Sequence, residues 1–286
     1  MIDPGFLDEL DRFTTSIARD THARRQGDRE SPAVGEGLTF ADFRQYAPGD
    51  EPRRVDWKLY ARTQELYVTQ YEEERQASVH VLLDASGSMD FGEGETHKFE
   101  FGAKLGLGAA YLAARDHEQF RFSTVAEHLE RFDRSRSSRG EVLRLIDRCN
   151  DCVPEGPAAL GDSLEAYRHS LDTTSLVLVV SDFLDAPEAI RDGVAALGDH
   201  DVVLAHVLAP EERDPPASGD TVFAETETGR TLRTYFGGDV AREYEERLAD
   251  HVDDVAATAH ELGARHVEVD TGRPFFDVFA DLWVTD

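Results

Sequence analysis

Three apolar runs of strand length constrain this chain most: Ser78–Asp84 (SVHVLLD), Leu176–Asp182 (LVLVVSD) and Val202–Leu208 (VVLAHVL). A strand with one wet face alternates in polarity, whereas a near-continuous apolar run belongs to a strand covered on both faces. The segments between and after them carry helical spacing. Lys98–Arg115 places Phe101, Leu105, Gly108 and Leu112 on one face. Arg139–Cys149, Gly161–Leu171 and Pro187–Leu197 read as further helices. Val240–Leu262 is a long one, stepping through Tyr244, Leu248, Val252, Val255, Ala259 and Leu262 by fours and threes. Gln119–Thr124 and Glu127–Phe132 read as short strands around a turn, and Thr221–Glu227 with Thr231–Tyr235 as a hairpin across Thr228-Gly229-Arg230. His266–Val269 is a last short strand and Phe275–Trp283 a closing helix. Strands alternating with helices predict an α/β fold, a mostly parallel sheet with helices on both faces.

The first part of the chain is different. Residues 1–30 are charged and helical in spacing, with Phe6, Leu7, Leu10, Phe13 and Ile17 on one face, and residues 31–55 hold Pro32, Gly35, Gly37, Pro48, Gly49 and Pro52. The expected organisation is an N-terminal helix and arm over residues 1–75, followed by the α/β domain over residues 76–286.

Charge excludes some functions. The formal net charge is −28, from 58 acidic and 30 basic residues. Sequence-independent nucleic-acid binding needs a basic face, so no nucleic-acid partner is expected. Lys58, Lys98 and Lys104 are the only lysines. An acid-rich, lysine-poor surface suits a salt-saturated cytoplasm, where screening quenches its self-repulsion. No stretch approaches the ~18 apolar residues of a membrane span. The opening MIDPGFLDELDRF carries acids where a secretion signal needs positive charge and an apolar run. A cytoplasmic, halophilic protein without a membrane partner is therefore expected.

Two of the apolar strands end in aspartate, Asp84 and Asp182. In parallel sheets ligands gather beyond the carboxyl ends of the strands. Ser86 and Ser88 follow Asp84 on a glycine-containing loop, and spacing by two can turn both hydroxyls toward one point. Carboxylates, hydroxyls and water form the hard oxygen shell that Mg²⁺ prefers. Asp84-Ala85-Ser86-Gly87-Ser88 resembles the D-x-S-x-S motif of von Willebrand factor A domains, which opens their metal-ion-dependent adhesion site. That resemblance implies a site for Mg²⁺, or Mn²⁺ or Ca²⁺. Ser86 and Ser88 would ligate directly and Asp84 and Asp182 through water, with an open position for a partner's acidic side chain. The family's threonine ligand is missing, because Ala158 stands at the matching place in Gly156-Pro157-Ala158-Ala159-Leu160. The alternative is a loop in which these acids and serines cap one another and the following turn.

A longer stretch, FRQYAPGDEPRRVDWKLYAR over Phe43–Arg62, resembles the signature R-x-Y-x-x-G-D-x-x-R-x-I-D-W-x-x-x-A-R of the domain-of-unknown-function family 58 (DUF58), with Val55 for isoleucine. Arg44, Tyr46, Gly49, Asp50, Arg53, Asp56, Trp57, Ala61 and Arg62 carry the match, and Ser181-Asp182-Phe183-Leu184-Asp185 resembles its second acidic strand end. With the charge pattern, the chain looks like a haloarchaeal-type cytoplasmic member. The resemblance implies a von Willebrand factor A-like fold preceded by an arm. It also implies work with a MoxR-type AAA+ ATPase in assembling or remodelling a client protein, without catalysis. The arm's arginines and aspartates can form an ion-pair network with Trp57 and Tyr46 as buried anchors, or dock an acidic partner surface.

Other motifs carry less. Cys149-Asn150-Asp151-Cys152 ends a helix and has no second pair for zinc, so packing thiols are expected. The histidines, among them His97, His117, His128, His169 and His206, fit no metal spacing, and neither a Walker loop nor a nucleophile elbow is present. An Asp84-dependent phosphohydrolase would need a second acid two residues on, where Ser86 stands. The expectation is a non-enzymatic interaction module, metal-dependent or, given Ala158, metal-independent.

Overall fold

The computed structural model describes residues 1–14, 39–45, 67–72, 78–134, 136–171, 174–215, 219–224, 231–236 and 238–283. Packing divides the chain into two units, Met1–Asp20 with Ala77–Asp286, and Thr21–Gln76.

The larger unit is built on a six-stranded sheet. Its strands are β3 (Ser78–Asp84), β4 (Gln119–Val125), β5 (Leu129–Arg131), β6 (Ser175–Ser181), β7 (Asp201–Leu208) and β10 (Arg265–Asp270). The spatial order is β10-β7-β6-β3-β4-β5. Every pairing is parallel except that of β4 with β5 at the edge. This is the expected mostly parallel α/β sheet. The continuous apolar runs have their explanation in the side-chain alternation. Val81 and Leu83 of β3, Leu178 and Val180 of β6, and Val203, Ala205 and Val207 of β7 enter one core. Leu82, Val177, Val179 and Leu204, the residues between, enter the other. With both faces dry, no position on these strands can be polar without a partner.

Helix α1 (residues 6–14), α2 (Lys98–Arg115), α3 (Arg139–Asp151) and α8 (Phe275–Trp283) belong to the first core. α4 (Leu160–Tyr167), α5 (Pro187–Ala196) and α7 (Gly238–Glu261) supply the second. Ser138 caps α3 by accepting the Glu141 N–H. α4 and α5 cross backbone to backbone, since a methyl on Gly161 would overlap the Ala189 carbonyl and one on Gly193 would lie 2.8 Å from the Gly161 oxygen. Gly161→Ala is therefore expected to cost about 1–3 kcal/mol by overpacking. Urea unfolding reads this directly, and an unchanged midpoint would mean that the helices separate freely.

Several expected boundaries shift. The helix expected over residues 1–30 is described only as residues 6–14, and residues 15–30 lie outside the described residues. These first residues are not part of a separate arm. Ile2, Leu7 and Leu10 are buried with Phe101 and Val278 in the first core, so the larger unit reclaims them. Within the turn-rich stretch, β1 (Thr39–Gln45) pairs antiparallel with β2 (Tyr67–Glu72), which lies beyond that stretch, a small sheet that the sequence reading did not include. The helix expected over Gly161–Leu171 ends at Tyr167 and continues as a 3-10 turn, Arg168–Ser170. The hairpin is present as β8 (Gly219–Ala224) and β9 (Thr231–Phe236), antiparallel. A short helix that periodicity did not show, α6 (Pro210–Arg213), follows β7.

Candidate functional site

β3 and β6 are hydrogen-bonded neighbours running in the same direction. Asp84, the last residue of β3, and Asp182, the residue after β6, therefore arrive at one rim of the sheet. Both are about 1% exposed. Asp84 Oδ1 accepts the Ser86 N–H at 2.8 Å and Oδ2 accepts the Ser181 hydroxyl at 2.6 Å. The hydroxyls of Ser86 and Ser88 lie 3.1 Å apart, so the spacing by two does bring them together. Burial, and then the charge of Asp182, push the Asp84 carboxyl up to about 6, partly opposed by its hydrogen bonds from Ser181 and Ser86.

The Asp182 side is organised by a residue whose role spacing did not reveal. Lys98, the first residue of α2, is fully buried, and its Nζ donates to Asp182 Oδ2 at 2.6 Å and to Glu212 Oε1 at 2.8 Å. Burial alone lowers an ammonium's pKa, but the two carboxylates more than offset that and hold Lys98 above the ordinary lysine value. Glu212 is fixed in turn because its other oxygen accepts the Ala209 N–H at the start of α6. The second Asp182 oxygen accepts the Leu184 N–H at 3.3 Å. Between them Phe183 takes a left-handed φ of 55°, rare for a large side chain, with its N–H on Ser181 Oγ. Its ring packs edge-on against His206. Behind this turn the rings of His251 and His266 each meet that of His206 edge-on, and His251 Nε2 lies 3.3 Å from the Asp182 carbonyl. Burial lowers His206 well below the usual imidazole value, so it is neutral packing. Histidines that look scattered in sequence thus back the rim.

The fit to a divalent cation is partial. Ser86, Ser88 and Asp84 are the right donors on one side. On the other, an ammonium already holds Asp182, and both oxygens of each aspartate are engaged. The loop bearing Ala158 lies alongside, with the Gly87 N–H on the Gly156 carbonyl and the Glu155 N–H on the Ala85 carbonyl, and Ala158 has no side-chain oxygen to offer. Among the described residues no group of three or more His, Cys, Asp and Glu converges as a metal cage. As placed, the side chains do not fit a resident divalent ion.

Of the arm's candidate residues, Arg44 lies on β1. Tyr46, Gly49, Asp50, Arg53, Asp56, Trp57, Ala61 and Arg62 lie outside the described residues. Cys149 is buried at the end of α3, its thiol pushed up to about 12 by burial, which disfavours the reactive thiolate. No helix among the described residues is long and apolar enough to cross a membrane.

A mostly parallel sheet wrapped in helices, with D-x-S-x-S closing one central strand and an acid closing its neighbour, defines a von Willebrand factor A-like domain. The chain belongs to the family described as "Protein of unknown function DUF58", whose pattern matches residues 42–254. It is 25% identical over 289 residues to uncharacterized protein Rv1480 of Mycobacterium tuberculosis and to uncharacterized protein Mb1516 of Mycobacterium bovis, covering 98% of this chain and 88% of each of those. Solved structures with a similar course include the conserved hypothetical protein BatB from Bacteroides thetaiotaomicron (TM-score 0.45, 14% identity, 68% of this chain and 90% of that one). The SpRpn10 VWA domain is another (TM-score 0.42, 10% identity, 74% of this chain and 100% of that one).

Proposed function

We propose that this chain is a non-catalytic protein-interaction module. It docks through the carboxyl rim of its sheet and works with a MoxR-type AAA+ ATPase in assembling or remodelling a client protein. The observation that carries this reading is the surface beside the buried rim. A cavity of about 280 Å³ opens there, lined by Asp182, Leu184, Leu208, Glu212, Tyr244 and His251. Leu184 and Tyr244, 48% and 37% exposed, offer apolar anchorage at its mouth. The rim beneath is buried and tied by hydrogen bonds on both aspartates, which suits recognition. Asp84 is buried with both oxygens bonded, which suits a nucleophile poorly. The arm's Arg44, Arg53 and Arg62 are proposed as a second contact, for an acidic surface of the ATPase or client.

Two forms of docking follow from two observations. A bridge through Mg²⁺, Mn²⁺ or Ca²⁺ to a partner's acid has only the meeting of the Ser86 and Ser88 hydroxyls in its favour. The hold of Lys98 on Asp182 favours a metal-independent contact. The direct test is capture of the purified ATPase by the purified chain in molar KCl, with and without chelator. Saturable capture weakened at least tenfold by Leu184→Glu is expected, and an ATPase that ignores the chain sinks the reading.

The proposed setting is a salt-rich cytoplasm. With a net charge of −28, unfolding temperature is expected to climb steadily as KCl goes from dilute to molar, because screening relieves repulsion within the compact state. A flat or falling curve would argue for an ordinary acidic protein.

A further inference from the structure

We infer that the ammonium of Lys98 is the resident cation of this rim, standing in for a divalent metal ion and excluding one. A rim that gathers Asp84, Asp182 and Glu212 out of water needs positive charge near it. Here the chain supplies it. Lys98 is 0% exposed and sits 2.6 Å and 2.8 Å from two of those carboxylates. Its ammonium also lies 5.8 Å from the centroid of the Phe91 ring, a face that favours a cation. The helix start that carries the lysine and the two acids it holds are each tied in place. The Lys98 N–H is bonded to the Phe91 carbonyl at 2.8 Å, Glu212 is tied to the start of α6, and Asp182 is tied to the Leu184 N–H. A metal ion seeking Asp182 must compete with an ammonium already at hydrogen-bond distance. On the far side it loses the oxygen that Ala158 does not carry. A partner's acidic side chain therefore meets no open metal position at this rim, and recognition falls to the neighbouring cavity and its apolar mouth. The inference shares the rim with the docking reading but does not depend on it, since metal binding is measured on the chain alone.

The test is a Mn²⁺ titration of the full chain in molar KCl, read by loss of the free-Mn²⁺ resonance signal and by melting temperature. Asp84→Asn serves as the control for ions gathered by the acidic surface. The wild type is expected to titrate like Asp84→Asn, with no added site and no upward shift in melting. Lys98→Gln is expected to gain about one saturable site, to melt higher with Mn²⁺, and to lose both properties when Asp84→Asn is added. A wild-type site of one equivalent that Asp84→Asn removes overturns the inference. A folded Lys98→Gln chain that binds no Mn²⁺ overturns it too, for then the lysine is not what keeps the ion out. Should Lys98→Gln not fold, the comparison of wild type with Asp84→Asn decides alone.

Discussion

Lys98→Met is expected to lower the unfolding free energy by about 3–5 kcal/mol, the cost of breaking a buried ion pair from one side. The methionine fills the volume and keeps the helix, so packing changes little. What it leaves is Asp182, 1% exposed, and Glu212, 13% exposed, facing each other without a cation. The loss belongs to the stranded acids rather than to the lysine itself, and this can be separated. Adding Asp182→Asn and Glu212→Gln to Lys98→Met removes the charges and is expected to restore most of the stability. Urea unfolding in molar KCl, with an unchanged denaturant slope, measures both steps. A single-variant loss below about 1 kcal/mol, the scale of a surface ion pair, would mean that water reaches the site and the pair is not buried.

The same residue shows where sequence reading stops. The rim was legible because two continuous apolar runs each end in aspartate, and strands buried on both faces leave such an acid nowhere to go but the edge. The parallel arrangement then puts both ends on one edge, and the structure adds that β3 and β6 are neighbours there. Lys98 was visible only as the start of a helix. Its partners lie 84 and 114 residues further on, so no local spacing links them. Nothing in the sequence says that one of the three lysines is hidden completely. The histidines escaped for a similar reason. His206 and His266 are 60 residues apart and meet only because β7 and β10 run side by side. Yet His206 stood inside an otherwise apolar strand, where a polar ring needs neighbours. β1 was hidden among prolines and glycines, and its partner β2 is 22 residues further on, from Gln45 to Tyr67; the first residues looked like an arm because a helix's spacing does not say which core receives it.

Asp84→Asn is expected to flatten the acid side of the stability profile by about 3 kcal/mol. The Asp84 carboxyl titrates near 3.8 in the unfolded chain and is raised to about 6 in the fold, first by burial and then by the Asp182 charge. Below about pH 3 both states hold the proton, and Asp84 costs the fold nothing. As pH rises toward 6 the unfolded chain gives up its proton while the folded chain keeps it, so stability falls with pH across this window. Above about pH 6.5 the folded carboxyl is ionised as well and the penalty is complete and constant. Asparagine cannot ionise, and it can still accept the Ser86 N–H and donate to Ser181 Oγ, so its own offset does not vary with pH. The difference between wild type and Asp84→Asn, from urea unfolding at each pH, should thus favour the wild type by steadily less between pH 4 and pH 6.5. Because the two acids interact, that slope reports the pair and not Asp84 in isolation. Doing the experiment in molar KCl strengthens it, for salt screens the exposed carboxylates that dominate ordinary acid titration and leaves a buried pair largely unscreened. Parallel profiles for the two proteins would mean that Asp84 and Asp182 do not share a dry rim, and the site would have to be redrawn.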